Sequence, residues 1–404
     1  MKTGPVTVVL SGVGGMGEVY LDALLPAQRE GRVRVVGAAD PEPGRSRRRR
    51  ALEDLGVPIF PDLEGFFAAG AAELAVISSP HHFHASQTVL ALSNGCHVLC
   101  EKPAAGTVQD VRAMAEAERQ AGRWVAVGYQ WSFNPALQEL KRDILAGRLG
   151  RPRRMRCLYL WPRTFAYYSR NGWAGRLRDG SGAWILDGPA HNAMAHDLHN
   201  MFFLLGREPT SSARPLRVRA ELYRAYPVEN ADTAAAKIEV EGGVEVLFLA
   251  THVPEAERGP VCDFEFERAS VKIDGRTGPI AARWEDGSEK KYGIPDADLL
   301  RKLWLSVEGA KTGDRPLCGL EAAASQVLCV NGMQDSARAA TDFPASRVRE
   351  TGAGEERRLA VEGLDRDLWE CYHARRLPSE MGFAWSRGGR PVDLASYRDF
   401  PSSF

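Results

Sequence analysis

Two rhythms of apolar and polar positions divide the chain. From residue 5 to about 128, short apolar runs at 6–10, 33–39, 74–78, 97–100 and 124–127 alternate with stretches of helical character. Residues 108–121 are one such stretch, rich in Ala, Glu and Arg, and Gly122 stands where a helix would stop. Strand and helix in regular succession predict a parallel sheet. From about residue 152 the rhythm changes. Strand-like runs at 153–161, 216–223, 233–240, 244–251, 263–266 and 270–273 are joined mainly by short turns, and Glu241-Gly242-Gly243 is a hairpin signal. A mostly antiparallel, open sheet is the expectation. Helices are expected again at 190–205 and 321–339. The stretch from about 341 is polar and rich in Arg, Gly and Pro, with one helical patch at 364–375, and reads as a partly flexible wrapping tail. The expected divisions are therefore 1–128, 129–340 and 341–404.

Composition narrows the setting. Apolar residues make up 44% and charged residues 26% of the chain, and the formal net charge is zero. Such a balance gives no general attraction to nucleic acid or to an anionic membrane. No run approaches the roughly 18 apolar residues that a membrane span needs. The first residues show no signal-peptide core, so a cytoplasmic location is expected. Seven scattered cysteines suit reduced, buried thiols. Cys96 and Cys100 are too widely spaced for a CxxC site, and no metal is expected.

The first candidate chemistry lies after the first strand. Gly12-Val13-Gly14-Gly15-Met16-Gly17 has GxGxxG spacing between a strand and a helix, the setting of a dinucleotide-binding Rossmann domain. Gly12 allows the tight turn, Gly14 lets the backbone approach a pyrophosphate, and Gly17 permits close helix–strand packing. Gly15 and Met16 complete the loop at the helix N-terminus. Asp40 ends the second strand, where a carboxylate accepts hydrogen bonds from the adenosine ribose and repels a 2′-phosphate. That favours NAD over NADP. Arg45 and the run 47–50 could neutralise such a phosphate or simply form a solvated helix face.

Further along, Asn94-Gly95-Cys96-His97-Val98-Leu99-Cys100-Glu101-Lys102-Pro103 joins Ser78-Ser79-Pro80 through His84, Gly128-Tyr129-Gln130 and the segment 136–150. With the glycine motif, these residues resemble the glucose–fructose oxidoreductase/inositol dehydrogenase (Gfo/Idh/MocA) family over about residues 5–340. The resemblance implies a Rossmann domain followed by an α/β domain with an open antiparallel sheet. It implies that Lys102 sits between nicotinamide and substrate and hydrogen-bonds the reacting oxygen, and that a cis peptide can precede Pro103. Ser79, Pro80, His84 and Glu101 then belong to the cofactor pocket. Three histidines at 81, 82 and 84 could also suggest a metal, but no carboxylate is interleaved.

The family usually carries Asp-x-x-x-His at the start of a helix in the second domain, with the histidine as acid or base. This sequence departs from that pattern, and two registers are open. Asp187 with His191 keeps the carboxylate. Asn192 with His196 fits the helix ending at Leu204-Leu205-Gly206 better and is favoured, with Asn192 in place of the acid and Asp187 supplying charge if the turn folds back. Pro189 separates Asp187 from a continuous helix. His199 reads as an ordinary helix histidine.

The segment 161–176 mixes aromatic rings with Arg and Asn, which suits the apolar faces and hydroxyls of a sugar. Arg163, Tyr168, Asn171, Trp173 and Arg176 are the substrate candidates, alongside His196 and, at the domain junction, Tyr129. Packing beneath the sheet is the competing role for the rings. The leading expectation is an NAD-dependent dehydrogenase of a sugar, glycoside or cyclitol. Alternatives are a redox-neutral glycosidase, lyase or epimerase working through a transient ketone, and a sugar-binding protein without catalysis. An open sheet face invites pairing into a homodimer or homotetramer.

Overall fold

A computed structural model describes residues 4–402, which form two units. The first runs to Phe133 and adds Asp298–Ala324; the second holds Asn134–Ala297 and the residues from Ser325 onward.

In the first unit, β1 (Val6–Ser11), β2 (Val33–Ala39), β3 (Ile59–Phe60), β4 (Leu74–Ile77), β5 (His97–Cys100) and β6 (Val125–Val127) form one sheet. All neighbours are parallel, in the order β3-β2-β1-β4-β5-β6. β4 is buried along its whole length, as a parallel strand covered on both faces must be. The strand order reverses between β1 and β4, and the carboxyl ends of these strands flank the crevice where open α/β sheets bind ligands. Two residues carry no periodicity, which is why β3 escapes a reading of the pattern. The boundary expected at 128 moves for a physical reason. The helix Arg301–Thr312 packs on β1, β4 and β5, and the Val127 N–H donates to the Cys318 carbonyl at 2.9 Å, so the chain returns to finish this unit.

The second unit is built on β7 (Pro152–Leu160), β8 (Pro215–Arg224), β9 (Thr233–Val240), β10 (Val244–Thr251), β11 (Arg258–Phe266), β12 (Ala269–Asp274), β13 (Ile280–Trp284) and β14 (Glu289–Gly293). These strands follow the order β14-β13-β12-β11-β7-β10-β9-β8, antiparallel except at β7/β10. Val240 faces Val244 across the expected hairpin, whose Gly242 and Gly243 adopt φ of 85° and 75°. β15 (Thr341–Asp342) joins β8 in parallel, β16 (Val348–Thr351) pairs with β17 (Arg358–Val361), and β18 (Val392–Asp393) joins β8 antiparallel.

The described residues after 341 are therefore packed on this unit rather than loose. Helix Leu364–Ala374 places Leu364, Leu368, Cys371 and Tyr372 on one face, and they pack with Leu158, Leu160, Tyr223, Leu247 and Leu249 of the sheet. Burial of such side chains is worth about 1.5–3 kcal/mol each. Asp367 clamps the segment, accepting from Arg347 and from the Trp385 indole, each at 2.8 Å. One face of the sheet is thus covered by the same chain. On β7 the alternate residues Cys157 and Tyr159 point to the opposite face, where helix Ala195–Leu205 packs.

Candidate active site

In the first unit the glycine loop is shaped by backbone approach. A Cβ at Gly12 would lie 2.7 Å from the Ser79 nitrogen, and one at Gly17 only 2.0 Å from the Gly12 oxygen. At Gly14 a Cβ would meet nothing within 4 Å, so the backbone is open there. Helix Met16–Arg29 begins behind the loop without a side-chain cap, an arrangement that fits a pyrophosphate. Asp40 braces the loop: its carboxylate accepts from the Val13 N–H at 2.9 Å and the Glu42 N–H at 2.8 Å. Four of the five arginines of the basic run are paired with carboxylates. Arg45 pairs with Glu42, Arg47 with Glu18, Arg48 with Asp22 and Arg49 with Glu53.

Beside the loop, the Ser78 hydroxyl donates to the Gly12 carbonyl at 2.8 Å, and Ser79 donates to Gln87 at 2.7 Å. His84 differs from the expectation that it lines the pocket. It is fully buried, with Nδ1 2.8 Å from the Pro103 carbonyl and Nε2 2.9 Å from that of Ser79, so its ring ties together the loops after β4 and β5. Burial holds its pKa below the ordinary value despite those carbonyls. Pro103 follows a cis peptide.

The Glu101–Lys102–Pro103 element sits at the end of β5 on an internal lock. The Tyr20 hydroxyl donates to Glu101 at 2.5 Å, the Lys302 ammonium ion-pairs with the same carboxylate, and Lys302 also donates to the Gly128 carbonyl at 3.1 Å. Lys302 is 1% exposed at its side chain and Glu101 10%. Burial works to raise the Glu101 pKa, but the Lys302 charge and the donated hydrogen bonds outweigh it and hold the carboxyl ionised. The other Glu101 oxygen accepts from the Lys102 backbone N–H at 3.1 Å, which fixes the strand end from which the half-buried Lys102 side chain projects.

In the second unit, Asp187 and Asn192 come together. The Asn192 amide donates to Asp187 at 2.7 Å, and the other carboxylate oxygen accepts from the Gly175 N–H at 2.6 Å. The helix expected over 190–205 begins only at Ala195. Before it the chain makes a wide turn in which the Pro189 carbonyl takes the Met194 N–H, and Met194 itself is not helical. Asn192 therefore precedes the helix rather than sharing one of its faces with His196. His191 is buried near Gln326, with Nδ1 3.5 Å from its amide, whereas His196 opens the helix and is 7% exposed. His199 is buried, and desolvation, helped by the Lys141 charge, pushes its pKa down to about 3.

The loop after β7 carries its rings among cations. Arg163 lies 3.6 Å over Trp161, and the Tyr168 hydroxyl meets His252 Nδ1 at 2.8 Å. Asn171 is occupied in shaping the loop, accepting from the Trp173 and Ala174 N–H groups. Trp173 is half-buried and Arg176 exposed. Tyr129 is fully buried in the first unit and is a core ring rather than a lining residue.

Residues 6–129 match the family model described as the oxidoreductase family with an NAD-binding Rossmann fold, and residues 137–280 match the GFO/IDH/MocA C-terminal domain. The chain belongs to the Gfo/Idh/MocA oxidoreductase family. Among its relatives, inositol 2-dehydrogenase 2 of Saccharopolyspora erythraea is 29% identical over 58% of this chain and 63% of its own length. A 1-carboxy-3-chloro-3,4-dihydroxycyclohexa-1,5-diene dehydrogenase of Comamonas testosteroni is 34% identical over 35% of this chain and 36% of its own. The chain spans about a quarter to three fifths of the length of the curated relatives it matches. The WlbA dehydrogenase of Bordetella pertussis, solved with NADH and UDP-GlcNAcA, shares the fold at a TM-score of 0.68 and 21% identity, covering 83% of this chain and 97% of that one.

Several residues of this family member's candidate site gave no signal in the sequence. Lys302 is 201 residues from Glu101, and Tyr20 lies within an ordinary helix. His252 ends a strand run and carries no motif.

Proposed function

We propose that this family member is an NAD-dependent oxidoreductase that interconverts a hydroxyl and a keto group on a sugar, glycoside or cyclitol. The observation that carries the reading is the locked Glu101, which fixes the end of β5 so that Lys102 projects from the same sheet edge as the open glycine loop. The residues there fit a dinucleotide, because Gly14 leaves the backbone open and the adjacent helix start carries no side-chain cap. NAD, when bound, supplies the acceptor or donor of hydride. Lys102 donates a hydrogen bond to the reacting oxygen, stabilising charge that develops on it. His196 removes the hydroxyl proton in oxidation and returns it in reduction, and Asp187 orients Asn192 beside this turn. The half-buried Asp40 favours NAD over NADP, since the four paired arginines are committed to carboxylates of their own. Relatives named for inositol and glucoside oxidation support the substrate class.

The test is NADH formation from NAD across a panel of sugars and cyclitols. We expect turnover that drops at least about a hundredfold in Lys102→Ala. Retention of most activity by that variant defeats the reading. Product formation without net NADH replaces it with the redox-neutral reaction through a transient ketone.

A further inference from the structure

In the second unit, guanidinium groups and aromatic rings alternate in a row. Arg276 lies 5.1 Å from the Trp161 ring centroid, and Arg163 lies 3.6 Å over the same ring. Arg163 is also 4.7 Å from the Tyr167 centroid, Arg170 stacks on Tyr167 at 3.6 Å, and Trp173 follows 5.2 Å from Arg170. Arg276 has its counter-charge in Asp296 at 3.1 Å. Arg163 and Arg170 have none: no carboxylate among the described residues lies within ion-pairing distance of either.

Arg163 is half-buried, and its Nε is buried without a hydrogen-bond partner. Withdrawing a guanidinium from water without a counter-ion is costly. Ring faces return only part of that cost. The neighbouring His252 supplies no counter-charge, since an imidazole is neutral or cationic, and burial and both arginines hold it neutral. The row also runs beside the catalytic turn. The Asp187 charge is felt at Tyr167, and that of Asp197, next to His196, at Arg276.

We infer that Arg163 and Arg170 bind an anionic group carried by the substrate, a carboxylate or a phosphate, so that the enzyme takes acidic rather than neutral carbohydrates. The inference rests on reading this unit as the carbohydrate site. A guanidinium held flat by a ring presents its edge to such a group in the two-pronged geometry that carboxylates and phosphates share.

The experiment is calorimetric binding of three matched probes, glucose, glucuronate and glucose 6-phosphate, to the full chain saturated with NAD. We expect at least one acidic probe to bind tenfold or more tighter than glucose, and the two acids to distinguish carboxylate from phosphate. The preference should vanish in Arg163→Gln, shrink in Arg170→Gln and also fall in Arg163→Lys, which keeps the charge but loses the stacked, two-pronged edge. Arg170 is exposed, so its variant keeps the test open if Arg163→Gln fails to fold. Equal binding of glucose, no binding of either acid at millimolar concentration, or an unchanged preference in the folded variants overturns the inference. Charge-selective binding without NADH formation overturns the oxidoreductase reading alone, and efficient turnover of neutral sugars without acid preference overturns this one alone.

Discussion

Glu101 in the first unit and Arg163 in the second are both charges withdrawn from water, yet their surroundings differ. Glu101 is met by an ammonium, a phenol and a backbone N–H, all from its own unit. Arg163 rests on ring faces and has no carboxylate. The first arrangement is complete within the chain and suits a cofactor of fixed chemistry. The second is short of one negative charge, which suits recognition of a partner that brings it.

The comparison is broken most severely by removing the ammonium. Lys302→Met should lower the unfolding free energy by about 3–5 kcal/mol, because Glu101 is left buried and unpaired. Adding Glu101→Gln should recover part of that loss in urea unfolding. A loss below about 1 kcal/mol would mean that the lock behaves like an exposed ion pair. Asp40→Ala comes next. The loss of hydrogen bonds to a charged acceptor predicts a rise of about ten- to a hundredfold in the KM for NAD. NADP should gain little, since Arg45, Arg47, Arg48 and Arg49 stay with their carboxylates. Steady-state kinetics with both cofactors checks this, and a variant that prefers NADP would show that the arginines are available after all.

The smallest effect is on pH dependence. His84, His199 and His252 all have lowered folded pKa values, with His199 at about 3 against an ordinary 6.5, chiefly through burial. The unfolded chain therefore takes up protons first as pH falls below about 6.5, and stability is lost through the window down to the folded values. Asp232 opposes this, since burial raises its carboxyl to about 6 and the folded state holds its proton more tightly. Unfolding measured from neutral pH to pH ~5 should lose up to about 1.4 kcal/mol per pH unit less in His199→Gln.

The legible parts of this protein were those whose physics is local. A glycine loop needs its residues in one turn, and Glu101-Lys102-Pro103 is contiguous. The hairpin at 241–243 needs only glycines able to take positive φ. The counter-charge of Glu101 was invisible, since any buried lysine would serve and this one arrives 201 residues later. The two registers read around His191 and His196 meet in the structure, because the carboxylate of one is hydrogen-bonded to the amide of the other. Their shared helical face was lost to the wide turn that precedes Ala195. The C-terminal stretch looked loose because its polar residues outnumber its apolar ones, but the spacing of Leu364, Leu368, Cys371 and Tyr372 was already that of a packed helix.

The return of the chain through Asp298–Ala324 also sets a timetable for synthesis. Glu101 leaves the ribosome 201 residues ahead of Lys302. At elongation rates of about 5–20 residues per second, the carboxylate waits on the order of 10–40 s for its cation. Throughout that interval the nascent Rossmann sheet lacks the helix that packs on three of its strands. An amino-terminal half that looks self-contained is thus a unit whose maturation is scheduled by the carboxyl-terminal half.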